Sequence, residues 1–116
     1  TNLGIAYFHL SNHKAAKKEL DLALKVNREY CPALRFKVKN LYYRKKYLET
    51  TNLADKAEMM CPGASAIEML YLSGMGNYML GQNEHAKNRF KKLIEIHPTS
   101  EFSKKAKLAI TTIEMD

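Results

Sequence analysis

Four histidines, two cysteines and a dense run of basic residues are the side chains of this chain best equipped for catalysis or ligation. His9 and His13 stand four apart, an interval that would place two imidazoles on one helix face to grip a metal. Ser11 and Asn12 lie between them and both form turns, so the helix should break there and separate the rings. His85 and His97 have no acid or nucleophile in an evident constellation. Cys31 and Cys61 belong to no CxxC pair and have no matched histidines, which removes a zinc site. Gly74, Gly76 and Gly81 miss the spacing of a dinucleotide loop, and no strand precedes them. Nothing resembles GxSxG or a Walker loop. No catalytic residue, cofactor or metal ligand is therefore expected, and the chain reads as a binding protein rather than an enzyme.

The net charge is +7, and it is concentrated. Between Leu34 and Leu48 stand Arg35, Lys37, Lys39, Arg44, Lys45 and Lys46, with no acid among them. The plain reading is a solvated helix face followed by a basic turn. The functional reading is a surface attractive to an acidic protein or peptide. Tyr42, Tyr43 and Tyr47 interleave with these bases, a pattern that also suits nucleic acid. That reading ranks lower because no nucleic-acid module signature is present.

The elements that hold these residues follow from apolar spacing. Ala16, Leu20, Ala23 and Leu24 form the stripe of an amphipathic helix, and Ala86, Phe90, Leu93 and Ile94 repeat it. Gly4, Ala6 and Gly74 are small where a facing helix must come close, which offsets the cost of glycine within a helix. The pattern predicts seven helices: Asn2 to Leu10, His13 to Val26, Pro32 to Tyr43, Leu48 to Met60, Ser65 to Leu80, Glu84 to Ile96, and Glu101 to Glu114. Ser11-Asn12 and Gly81-Gln82-Asn83 supply turns, while Pro32, Pro62 and Pro98 mark stops and starts. Leu34, Phe36 and Val38 alternate with Arg35, Lys37 and Lys39, which alone would suggest a strand. The helical frame on both sides overrules it. Ser100 is placed to cap the last helix, whose Phe102, Ala106, Ala109, Ile110 and Ile113 share one face.

Leu3-Gly4-Ile5-Ala6-Tyr7 with Ala16, Leu20 and Ala23, and Gly74 with Ala86, Phe90 and Pro98, resemble the tetratricopeptide repeat (TPR) family, whose unit is about thirty-four residues. The middle copy departs from the pattern, with Val38 for the glycine, Leu41 for the tyrosine and Thr50 for the alanine. Two extra residues follow Pro62. The resemblance implies an all-α, right-handed α-solenoid: three hairpins over about 1–28, 31–62 and 65–98, then a capping helix over about 101–114. It implies a scaffold whose concave groove takes a peptide or protein segment. Carried over by position, the groove residues are Ile5, Phe8 and His9, then Arg35, Lys39, Tyr42 and Tyr43, then Tyr71, Met75, Tyr78 and Met79. Arg35 and Lys39 would pair with a ligand carboxylate. Family members that hold a chaperone tail use a lysine-asparagine clamp, and the matching positions Thr1, Ile5 and Phe36 do not fit it. Phe90 to Phe102 also looks like TPR lipoproteins of outer-membrane and type IV pilus assembly, an alternative role.

Cys31 opens the middle hairpin and Cys61 closes it, so antiparallel helices bring the two near each other. Loop geometry decides whether they bond, and buried free thiols are favoured over a disulfide. No stretch is long and apolar enough to cross a bilayer. The cytoplasm and the periplasm remain open as compartments. The chain starts within the first repeat by the family frame, and the expectation is a piece of a longer protein.

Overall fold

The computed structural model describes residues 1–115, and it is all-helical. Seven helices follow one another: α1 (Asn2–His9), α2 (His13–Val26), α3 (Cys31–Tyr43), α4 (Tyr47–Met60), α5 (Ala64–Met79), α6 (Asn83–Ile96) and α7 (Glu101–Met115). Each packs on the next, while α3 also meets α1 and α5, and α5 meets α7. The result is an array of helical hairpins, elongated to 41 × 25 × 21 Å. The segment with strand-like alternation is helical. Leu34, Phe36 and Val38 are buried there because α3 is covered from several directions rather than on a single stripe.

The three hairpins share one turn. Leu10, Arg44 and Leu80 end their first helices; Ser11, Lys45 and Gly81 follow with φ of 60°, 62° and 78°. The next N–H donates back to Tyr7, Leu41 and Asn77 respectively, closing the helix end in the same way each time. Left-handed backbone is free for glycine but costs other residues about 1–2 kcal/mol, so only Gly81 is the natural occupant. The interval from Lys45 to Gly81 exceeds that from Ser11 to Lys45 by two residues. That excess lies in α5, which has 16 residues where α3 has 13, while the connection before it is shorter by one. At the last helix Ser100 Oγ accepts the N–H of Ser103 at 3.0 Å, the expected cap.

Burial follows the repeat. Ala16, Leu20, Ala54, Ala57, Ala86, Phe90 and Leu93 line the inner faces of the second helices. A Cβ on Gly4 would lie 2.9 Å from Leu20, and one on Gly74 would run into the Phe90 ring, so these glycines are seats for large side chains. In the middle hairpin Val38 and Ala54 hold the same two register positions and share one buried cluster. Thr50 occupies the alanine position, and its hydroxyl is satisfied by the Lys46 carbonyl at 2.7 Å. Between hairpins, Gly76 lies against α4: a Cβ there would meet Thr51 Cγ2 at 2.6 Å and the Tyr47 carbonyl oxygen at 3.3 Å. On α7, Ala106 and Ile113 are buried while Lys104, Lys105 and Lys107 are exposed.

The cysteines do not follow the expectation of free thiols. Cys31 and Cys61 form a disulfide, with Cα atoms 5.7 Å apart. The helix axes would hold them farther apart, but Cys31 is the first residue of α3 and Cys61 the C-cap of α4, where the chain turns inward. That brings the pair within bonding reach.

Candidate functional site

The first helices of the hairpins, with α7, form one wall of the array. Two adjoining hollows lie on it. One, of about 350 Å³, is lined by Phe8, His9, Ser11, His13, Lys39 and Tyr43. The other, also about 350 Å³, is lined by Lys39, Tyr42, Tyr43, Glu68, Tyr71, Leu72, Phe102 and Lys105. Lys39 and Tyr43 belong to both, so they form the ridge between the two.

Aromatic rings build the first hollow. Phe8 meets Phe36, His9 and Tyr43 with centroids 5.6 Å apart, and His13 lies parallel to Tyr43 at 6.3 Å. These are edge and offset arrangements that the ring quadrupoles favour. The His13 ring is held by Asn40, buried on α3. His13 Nδ1 donates to Asn40 Oδ1 at 2.8 Å, and Asn40 Nδ2 donates to the His13 carbonyl at 2.9 Å. The expected break between His9 and His13 is present, and each ring has its own helix. Among the described residues, no three His, Cys, Asp or Glu side chains converge as a metal site would require.

The second hollow contains a buried acid that sequence reasoning missed. Glu68 is the only charged residue of α5, and its side chain is 8% exposed. Arg35 Nε donates to its Oε1 at 2.6 Å, and Lys39 Nζ lies 3.5 Å from its Oε2. Arg35 and Lys39 were expected to await a ligand carboxylate, but they already hold one from this chain. The Lys39 ammonium also lies 4.8 Å from the Phe36 ring centre and 5.4 Å from that of Phe8. Across the hollow, Lys105 stands over Phe102 at 5.5 Å. Burial pushes the Tyr42 hydroxyl above its ordinary pKa, helped by the neighbouring Tyr71, Tyr47 and Tyr43. Burial likewise raises Tyr71, with Tyr43 adding to it. Both phenols are therefore neutral at physiological pH.

The other expected groove positions divide. Phe8, His9, Lys39, Tyr42, Tyr43 and Tyr71 line the hollows; Arg35 supports them from behind through Glu68. Ile5 packs beside Phe8 and Phe36 in the first core. Met75 and Tyr78 pack against the α6–α7 core, and Met79 is exposed at the end of α5. Of the residues not foreseen, Phe102 and Lys105 come from α7, which the repeat frame treats only as a cap. Glu68 had a visible signal: a lone carboxylate in an otherwise uncharged helix of 16 residues.

The basic run splits in the same way. Lys37 pairs with Asp21 at 2.9 Å, tying α3 to α2, and Lys17 reaches the other oxygen of Asp21 at 2.8 Å. Burial alone would raise the Asp21 carboxyl, but the two lysines outweigh it and hold it below the usual range. Lys45 and Lys46 form the exposed turn. No described helix is long and apolar enough to cross a membrane. No family model matches the chain, and no curated protein matches it.

Proposed function

We propose that this chain is a protein-binding scaffold of the tetratricopeptide-repeat type, a module without catalysis whose hollowed wall receives an extended segment of another protein. One observation carries the reading. Tyr43 is 60% exposed at the ridge between two adjoining hollows, beside aromatic groups from α1, α3, α5 and α7. Large rings in open concavities are the side chains that dominate binding energy at protein interfaces. Selection from a displayed random-peptide library tests it, with wild type and Tyr43→Asp as baits. Wild type is expected to enrich a consensus that Tyr43→Asp does not retain. Failure of the wild type to enrich any sequence would reject the reading.

A second reading, an assembly factor of the bacterial envelope, draws support from the Cys31–Cys61 disulfide. Such bonds persist in oxidising compartments and are rare where thiols are kept reduced. Trapping free thiols with a maleimide in cells, before lysis, tests the compartment. Full modification of both cysteines would count against an oxidising location.

A further inference from the structure

The groove reading does not say which segment binds, and the charges on the wall bear on that question. This inference rests on the peptide-binding reading above. Arg35, Lys39 and Lys105 face or support the second hollow against a single acid, Glu68. The two halves of the Glu68 carboxylate are held unequally. Arg35 makes a short charge-assisted bond, whereas Lys39 stands at 3.5 Å, beyond ordinary hydrogen-bond length. An ammonium has three protons to donate, so Lys39 retains capacity for another acceptor. It lines both hollows and is therefore accessible from either. Lys105 on α7 is exposed, and no ion pair engages it among the described residues.

We propose that the groove selects acidic segments bearing an aromatic side chain, and that Glu68 is a built-in competitor for Lys39. A ligand carboxylate binds between Lys39 and Lys105, while its aromatic neighbour packs among Tyr42, Tyr71 and Phe102. Glu68 weakens this contact by drawing on the same ammonium and by repelling the incoming acid. Nucleic acid is a poorer match, because a backbone of successive phosphates needs a row of free cations. Here Arg35 is committed to Glu68, which leaves two ammonium groups beside a fixed negative charge.

Fluorescence anisotropy with three labelled peptides of equal length tests the proposal: one of Glu and Tyr, one of Gln and Tyr, one of Lys and Tyr. A labelled oligothymidylate forms a fourth arm. The Glu/Tyr peptide is expected to bind tightest, with a preference that shrinks as salt is raised. Glu68→Gln should tighten the Glu/Tyr peptide by about fivefold and leave the Gln/Tyr peptide unchanged. Lys105→Glu, at an exposed position, should weaken the Glu/Tyr peptide by about fivefold. It carries the test if Glu68→Gln fails to fold by circular dichroism. Equal binding of the Glu/Tyr and Gln/Tyr peptides, insensitive to Lys105→Glu, overturns the proposal but leaves the groove as a peptide site. Tighter binding of the oligothymidylate overturns it in favour of nucleic acid. No binding by any peptide removes the groove reading itself.

Discussion

The third hairpin sets glycine against phenylalanine where the middle hairpin sets valine against alanine. Gly74 gives its space to the Phe90 ring, and Gly4 does the same for Leu20 in the first hairpin. At the same register Val38 is fully buried with Ala54. The large partner has moved from the second helix to the first. Close packing asks that the facing volumes add up, not that each position keep its residue. The middle hairpin therefore departs from the repeat at single positions and keeps it as a pair. It differs in a second respect: it alone is cross-linked, between Cys31 and Cys61. Its buried face also includes the hydroxyls of Thr50 and Thr51, which bond to the Lys46 and Leu48 carbonyls.

The largest expected effect tests the pair itself. Phe90→Ala should destabilise by about 3–5 kcal/mol in urea unfolding, since the ring is fully buried. Adding Gly74→Val to it imports the middle hairpin's arrangement into the third. The double variant is expected to be more stable than the two single losses combined, by about 1 kcal/mol or more. Strict additivity would show that the volume exchange is coincidence.

Next comes the cross-link. The Cys31–Cys61 bond spans 30 residues, and opening such a loop should cost about 3–4 kcal/mol. Thermal unfolding with and without reductant measures it, and a Cys31→Ser/Cys61→Ser variant should match the reduced protein. An unchanged midpoint would mean that the middle hairpin stands on packing alone, like its neighbours.

The smallest effect concerns the shared turn. Lys45 holds a left-handed backbone that Gly81 adopts freely. Lys45→Gly should stabilise by about 0.5–1 kcal/mol, and the reverse exchange Gly81→Lys should destabilise by a similar amount. If Lys45→Gly fails to stabilise while Gly81→Lys destabilises, the two turns are not equivalent.

Much of the architecture was legible in the residues. The stripes Ala16–Leu20–Ala23 and Ala86–Phe90–Leu93, the small Gly4 and Gly74, and the turn at Ser11-Asn12 are local signals, and local signals suffice to place hairpins. The site was only partly legible. Phe8, His9, Lys39, Tyr42, Tyr43 and Tyr71 could be placed on the wall by register. Register says nothing of side-chain partners, so the Arg35–Glu68–Lys39 group across α3 and α5 stayed hidden. So did the hold of Asn40 on His13, which depends on where α2 begins relative to α3. The disulfide turned on the path of two loop ends, which helix spacing does not specify.

Gly76 carries a consequence for the shape of the wall. With no side chain there, α5 settles against Thr51 and the backbone at Tyr47. In stacked helical arrays the small rotation between neighbours sets the curvature of the inner surface. One missing methyl thus sets how closely α5 approaches α4 at this seam. A bulkier residue would push α5 away from α4 without touching any side chain that lines the two hollows.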